Sequence, residues 1–188
     1  MPRIEAIPAQ YDQGMRRRPP GRSAARSALL TLVIALLAAA GLLAAGSPAA
    51  ALPKVTMIGD SVPTAIAYES EALATLRRGA DVDLELAPCR RVGQTSCPYK
   101  DSTSPTVLQV VEKLGRSLAG STVIVAVGYN DFEQAYAGNI EDALAALRAL
   151  DVQHVLWLTL RAERQSYLAM NDMIRAAAAR HPEMSVVD

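Results

Sequence analysis

From residue 52 onward, apolar and polar positions switch between two periods. Residues 54–58, Lys-Val-Thr-Met-Ile, are a short apolar run that predicts a strand. Residues 64–78 predict a helix that stops at Gly79. At 82–86, Asp83 and Glu85 interleave with Val82, Leu84 and Leu86, the period of two expected of a half-exposed edge strand. Residues 106–119 place Val107, Val110, Val111, Leu114 and Leu118 on one helical face, with Gly120 as the stop. The uninterrupted apolar run at 122–127 predicts a central strand buried on both faces. Gly128-Tyr129-Asn130-Asp131 breaks it, and Asp131 is expected to cap the helix over 133–150, which turns Ile140, Leu144 and Leu147 inward. Residues 154–160, with Trp157 as a core residue, predict another buried strand. Residues 163–180 form a helix ended by His181-Pro182, and 185–187 open a last strand. Strands separated by helices of this length imply right-handed crossovers and a parallel sheet covered on both faces. The expected fold is α/β: a doubly wound three-layer sandwich with strand order 2-1-3-4-5 and no internal repeat.

Composition changes this picture mainly at the N-terminus. The chain of 188 residues has the length of about one domain. Its formal net charge of zero conceals an asymmetry, because residues 1–26 hold six arginines against Glu5 and Asp12, making the tail +4 and the remainder −4. The basic patch belongs to a Pro-, Arg- and Gly-rich tail expected to be disordered and cytoplasmic. The rest shows no electrostatic footprint for nucleic acid. From Ala28 to Ala45 there is no charged residue. As a helix at ~1.5 Å per residue this stretch would span roughly 27 Å, enough for a bilayer core. Arginines before it and none soon after predict a cytoplasmic N-terminus and an exported remainder. Two fates are open for residues 27–51. Ala49-Ala50-Ala51 offers a small-residue site for cleavage of a signal peptide, and retention would leave a single-pass membrane anchor. Residues 52–188 then form the extracytoplasmic domain.

Cys89 and Cys97 share one loop, and in an exported chain they are expected to pair rather than to remain free thiols. The bridge would contribute ~2.5 kcal/mol in the chain-entropy model. Two cysteines and two histidines at these spacings match no common zinc pattern, so no metal site is expected.

In doubly wound sheets, function gathers beyond the C-terminal ends of the strands. Those ends carry Gly59-Asp60-Ser61, the loop around Gly93, Gly128-Tyr129-Asn130-Asp131 and the region of Thr159 to Arg161. Ser61 follows a buried strand and precedes a helical stretch. It either takes part in capping that helix, with Pro63 in the first turn, or presents its hydroxyl as a nucleophile. Acyl transfer also needs donors for a developing oxyanion. The N–H groups of Ser61 and Gly93 and the side-chain amide of Asn130 are candidates; an ordinary loop asparagine and a plain turn glycine are the alternatives. Asp60, Tyr129 and Arg90 flank these positions and are candidate substrate contacts. The alternatives are a solvated loop for Arg90 and simple packing for Tyr129.

Met57-Ile58-Gly59-Asp60-Ser61 and Val127-Gly128-Tyr129-Asn130-Asp131 resemble the first and third sequence blocks of the SGNH (GDSL-type) esterases and acyl hydrolases. Gly93 stands where the second-block glycine is expected, and the resemblance covers roughly residues 54–188. It implies a flavodoxin-like sheet, Ser61 as nucleophile, and Ser61, Gly93 and Asn130 as oxyanion donors. It also implies lipid, glycan or small acyl esters as substrates, and no cofactor. The family's Asp-x-x-His block is absent. His154 enters its strand at the N-terminal end and His181 ends a helix running antiparallel to the strands. A seven-residue strand at ~3.3 Å per residue separates the two rims by roughly 20 Å, so neither histidine is expected near Ser61. Ser185-Val186-Val187-Asp188 opens a strand heading for the catalytic rim, and a base would arrive in the loop after it. The expectation is therefore an exported serine ester hydrolase whose general base is not in this chain, a fragment cut short of its final block. Two other readings are an inactive binding module of the same fold and an acyltransferase acting on cell-envelope glycans.

Overall fold

The computed structural model describes residues 51–188. The expected basic tail (1–26) and the apolar leader or anchor (27–51) lie outside the described residues, Ala51 excepted. In chain order the elements are β1 (Lys54–Gly59), α1 (Ala65–Tyr68), α2 (Ser70–Leu76), β2 (Asp81–Leu86), β3 (Pro98–Tyr99), β4 (Ser102–Thr103), α3 (Val107–Leu114), β5 (Thr122–Ala126), α4 (Glu133–Ala149), β6 (His154–Leu158), α5 (Gln165–Ala178) and β7 (Met184–Val187). A 3₁₀ turn over Gly115–Leu118 follows α3.

Five strands form one parallel sheet in the order β2-β1-β5-β6-β7, the order expected from the hydrophobic pattern. The small antiparallel pair β3–β4 stands outside it, in the long connection from β2 to α3. No helix among the described residues is long and apolar enough to cross a membrane.

The core is one-sided. Ile58, Val125 and Trp157 are in register across β1, β5 and β6, so they point to the same face. They pack there with Val110 and Val111 of α3, Ile140 and Leu144 of α4, and Met170 and Ile174 of α5. The three rightward crossovers put α3, α4 and α5 on this face, and the single leftward step from β1 to β2 puts α1 and α2 on the other. Helices α1 and α2 bury no residue. Helices thus lie on both faces, as expected, with the tight packing on one of them.

The single helix expected over 64–78 is two short helices, broken where Glu69 adopts an extended conformation (φ −102°, ψ 98°). Short helices need tertiary packing to persist, and this pair has no buried anchor. The helix expected over 106–119 ends at Leu114 and continues as the 3₁₀ turn. Its start is fixed by a capping box in which the Thr106 hydroxyl accepts the Gln109 N–H and the Gln109 side chain accepts the Thr106 N–H.

Candidate active site

Strand β1 delivers Gly59-Asp60-Ser61 to the C-terminal rim. A side chain on Gly59 would come within 2.4 Å of Pro63 and 2.7 Å of Leu86, so only glycine lets the chain turn this closely. Asp60 is fully buried and ties the rim together. Its N–H donates to the Ala126 carbonyl at 3.1 Å. One carboxylate oxygen accepts the Val62 N–H at 3.0 Å, and the other accepts the N–H groups of Gly128 and Tyr129 at 3.3 Å each. Burial raises the Asp60 pKa, and these three donors and the Arg90 charge oppose that shift. A carboxylate so occupied fastens the loop after β1 to the loop after β5. Asp60, expected as a candidate substrate contact, stands in the structure as a tie between these two loops. Ser61, next in the chain, is exposed in the turn, and its hydroxyl has no hydrogen-bond partner among the described residues.

The second loop reaches the rim from β5. A Cβ at Gly128 would meet Leu160 and the Tyr136 hydroxyl at 2.8 Å, which requires glycine at that position. That hydroxyl donates to the Val127 carbonyl at 2.7 Å and accepts from the Trp157 indole at 3.3 Å, anchoring the end of the strand in the core. The Asn130 carbonyl accepts Arg91 Nε at 2.6 Å, and the Asn130 side-chain Nδ2 is buried without a partner. Asp131 does not cap α4, whose N-cap is Phe132 without a side-chain bond. Asp131 accepts the Val92 N–H at 2.9 Å instead, and its second oxygen is buried unpaired. Burial pushes its carboxyl up to about 6, against the pull of the Val92 bond and the Arg91 charge.

The third loop runs between β2 and α3. The Cys89–Cys97 disulfide is present, with Cα atoms 5.2 Å apart. Within the loop it closes, Arg91 and Val92 make the two bonds to Asn130 and Asp131 just described. Gly93 packs so closely on α4 that a Cβ would meet Asn139 Oδ1 at 2.7 Å, and its N–H has no partner among the described residues. Arg90 departs from expectation. It is 2 % exposed and donates to the carbonyls of Pro105 at 2.9 Å, Gly59 at 3.3 Å and Glu85. Its guanidinium is not solvated and binds three stretches of chain together.

Tyr129 lines a cleft of about 340 Å³ together with Met57, Val62, Pro63, Ile66, Leu158 and Leu160. Its hydroxyl accepts the Arg161 N–H at 2.7 Å, and its ring meets Tyr167 edge-on at 5.2 Å. Asn171 carries a role that the sequence did not reveal. Buried on α5, it accepts the Leu160 N–H and donates to the Leu160 carbonyl, both at 2.7 Å, which fixes the turn after β6. The available signal was a polar residue on the apolar stripe of Met170, Ile174 and Ala177. Both histidines stand at the opposite rim. His154 pairs with Thr122 at the start of their strands, and His181 Nε2 lies 2.7 Å from Glu141. No group of residues suited to a metal ion occurs among the described residues.

No protein-family model matches this sequence, and no curated protein is similar to it. Among solved structures, the chain is similar in fold to a protein from Agrobacterium tumefaciens str. C58 described as a "putative arylesterase". The two share 16 % identity over 71 % of this chain and 83 % of the other, with a TM-score of 0.50. At that identity the likeness shows a shared α/β fold.

Proposed function

We propose that this chain carries the nucleophile and the oxyanion donors of an SGNH-type serine ester hydrolase working outside the cytoplasm. One observation carries the reading: an exposed Ser61 hydroxyl, without a partner among the described residues, sits on a loop that the Asp60 carboxylate ties to the residues just before Asn130. The unpaired Nδ2 of Asn130 and the unpaired N–H of Gly93 supply donors of the kind an oxyanion needs. The fold shared with the Agrobacterium protein supports an ester-hydrolase frame. The disulfide and the arginine-flanked apolar leader support an exported site, with the membrane as a partner where the leader is retained.

In this mechanism Ser61 Oγ bonds to the ester carbonyl carbon while its proton passes to a base. The carbonyl oxygen becomes an oxyanion held by the Ser61 and Gly93 N–H groups and the Asn130 amide. Collapse breaks the ester C–O bond, and the alcohol leaves with a proton. Water then hydrolyses the acyl-serine to the acid and restores Ser61. With both histidines at the far rim, imidazole added in solution is the appropriate test base. Imidazole should raise p-nitrophenyl ester hydrolysis by the wild-type chain well above the same mixture containing Ser61→Ala. Equal rates in the two would overturn the nucleophile assignment.

The placement of the histidines also favours a second reading, a binding module of the same fold. It predicts retention of an ester or its acid without any Ser61-dependent turnover.

A further inference from the structure

The cleft beside Tyr129 lies on the face of the sheet that α1 and α2 leave largely open. Met57 and Leu158 form its floor. Its walls come from both rim loops: Val62 and Pro63 directly follow Ser61, and Tyr129 directly precedes Asn130. Ile66 of α1 faces the same space, and Val62 is 52 % exposed although apolar. Among the described residues, no charged side chain lines the cleft. Its two polar side chains each hold one partner, since the Tyr129 hydroxyl accepts the Arg161 N–H and the Thr159 hydroxyl donates to the Val187 carbonyl at 3.5 Å, which leaves one hydroxyl proton and the Thr159 lone pairs. A charged or sugar-like group entering here would lose more hydrogen bonds to water than these two hydroxyls return. An alkyl chain would lose nothing and would cover the exposed apolar side chains.

Resting on the esterase reading above, we infer that this cleft holds the acyl chain of the ester, and that the substrate class is a medium-chain acyl ester rather than an acetyl ester. The volume of about 340 Å³ lies in the range of small-molecule sites (~300–1,000 Å³). At the liquid-like ~30 Å³ of a water-sized group, that volume corresponds to about eleven groups, so it accepts a chain of up to roughly ten carbons. The alcohol part then leaves on the opposite, solvent side of Ser61.

Two measurements on the full chain separate this inference from the nucleophile assignment. The first is the imidazole-assisted, Ser61-dependent hydrolysis of p-nitrophenyl acetate, butyrate, hexanoate and octanoate. Each methylene should raise kcat/KM about two- to fourfold up to about eight carbons. The variant Ile66→Trp, which fills the cleft from an element that buries nothing, should flatten the series. The second is calorimetric binding of acetate, hexanoate and octanoate to Ser61→Ala. Affinity should rise with chain length and be lost on adding Ile66→Trp. Ser61-dependent turnover that is flat or falling with chain length overturns the acyl cleft and leaves the nucleophile standing. Chain-length-dependent binding without Ser61-dependent turnover overturns the nucleophile, and with it the substrate assignment, while leaving an alkyl-binding cleft. Absence of both overturns both.

Discussion

Asp60 and Asp131 are buried carboxylates on adjoining loops, and they serve the site in different ways. Asp60 satisfies three backbone N–H groups and so joins the loop after β1 to the loop after β5. Asp131 satisfies one, leaves an oxygen unpaired, and ionises only near pH 6. The sign of its effect on stability follows from linkage. Between its ordinary value of 3.8 and about 6, the folded chain holds a proton on Asp131 that the unfolded chain has released. The contribution of this group to stability therefore falls as pH rises through that window. Asp131→Asn removes the titration, so the difference in stability between variant and wild type should change between pH 4 and pH 6 and be level above about 7. Chemical denaturation across pH measures it, and a pH-independent difference would show that Asp131 does not titrate in the folded state at the value its burial implies. Spacing and motif single out Ser61, Gly93 and Asn130 as candidates. They do not reveal that Asp60 and Arg90 are structural ties, because an acid or a guanidinium in a glycine-rich loop reads the same whether it faces water or backbone. Only the three-dimensional course of the loops supplies the carbonyls that surround Arg90.

At the scale of elements, the sheet was legible and the covering helices were less so. Strands β1, β5 and β6 are written as apolar runs ending in glycine or polar turns, and crossover handedness sets the face each connecting helix takes in the order they adopt. The helix expected over 64–78 is broken in two at Glu69, because its composition favours helix while none of its described residues is fully buried against the sheet. The β3–β4 pair was not foreseen either, since two-residue strands leave no periodicity to read. The Cys89–Cys97 loop is the element on which the third part of the site depends. It holds Arg91 and Val92 against Asn130 and Asp131. Replacing both cysteines by serine should lower stability by about 2.5 kcal/mol. Trp157, the sole tryptophan and fully buried, reports the unfolding by fluorescence. An unchanged denaturation midpoint would show that the loop is held by its hydrogen bonds alone.

Over the described residues, a one-sided core supports a rim on which three loops converge, and α1 and α2 leave the sheet face beside that rim largely open. The apolar packing of α3, α4 and α5 fixes the ends of β1 and β5, and Asp60, Arg90 and Arg91 convert those fixed ends into a fixed site. Function in this account resides at one oxygen atom, Ser61 Oγ. The most direct measurement is intact-protein and peptide mass spectrometry after incubation with a p-nitrophenyl octanoate and imidazole. The account predicts one acyl group per chain, located on the peptide containing Ser61 and absent from Ser61→Ala. No acyl adduct, or an adduct on another residue that persists in Ser61→Ala, would contradict it.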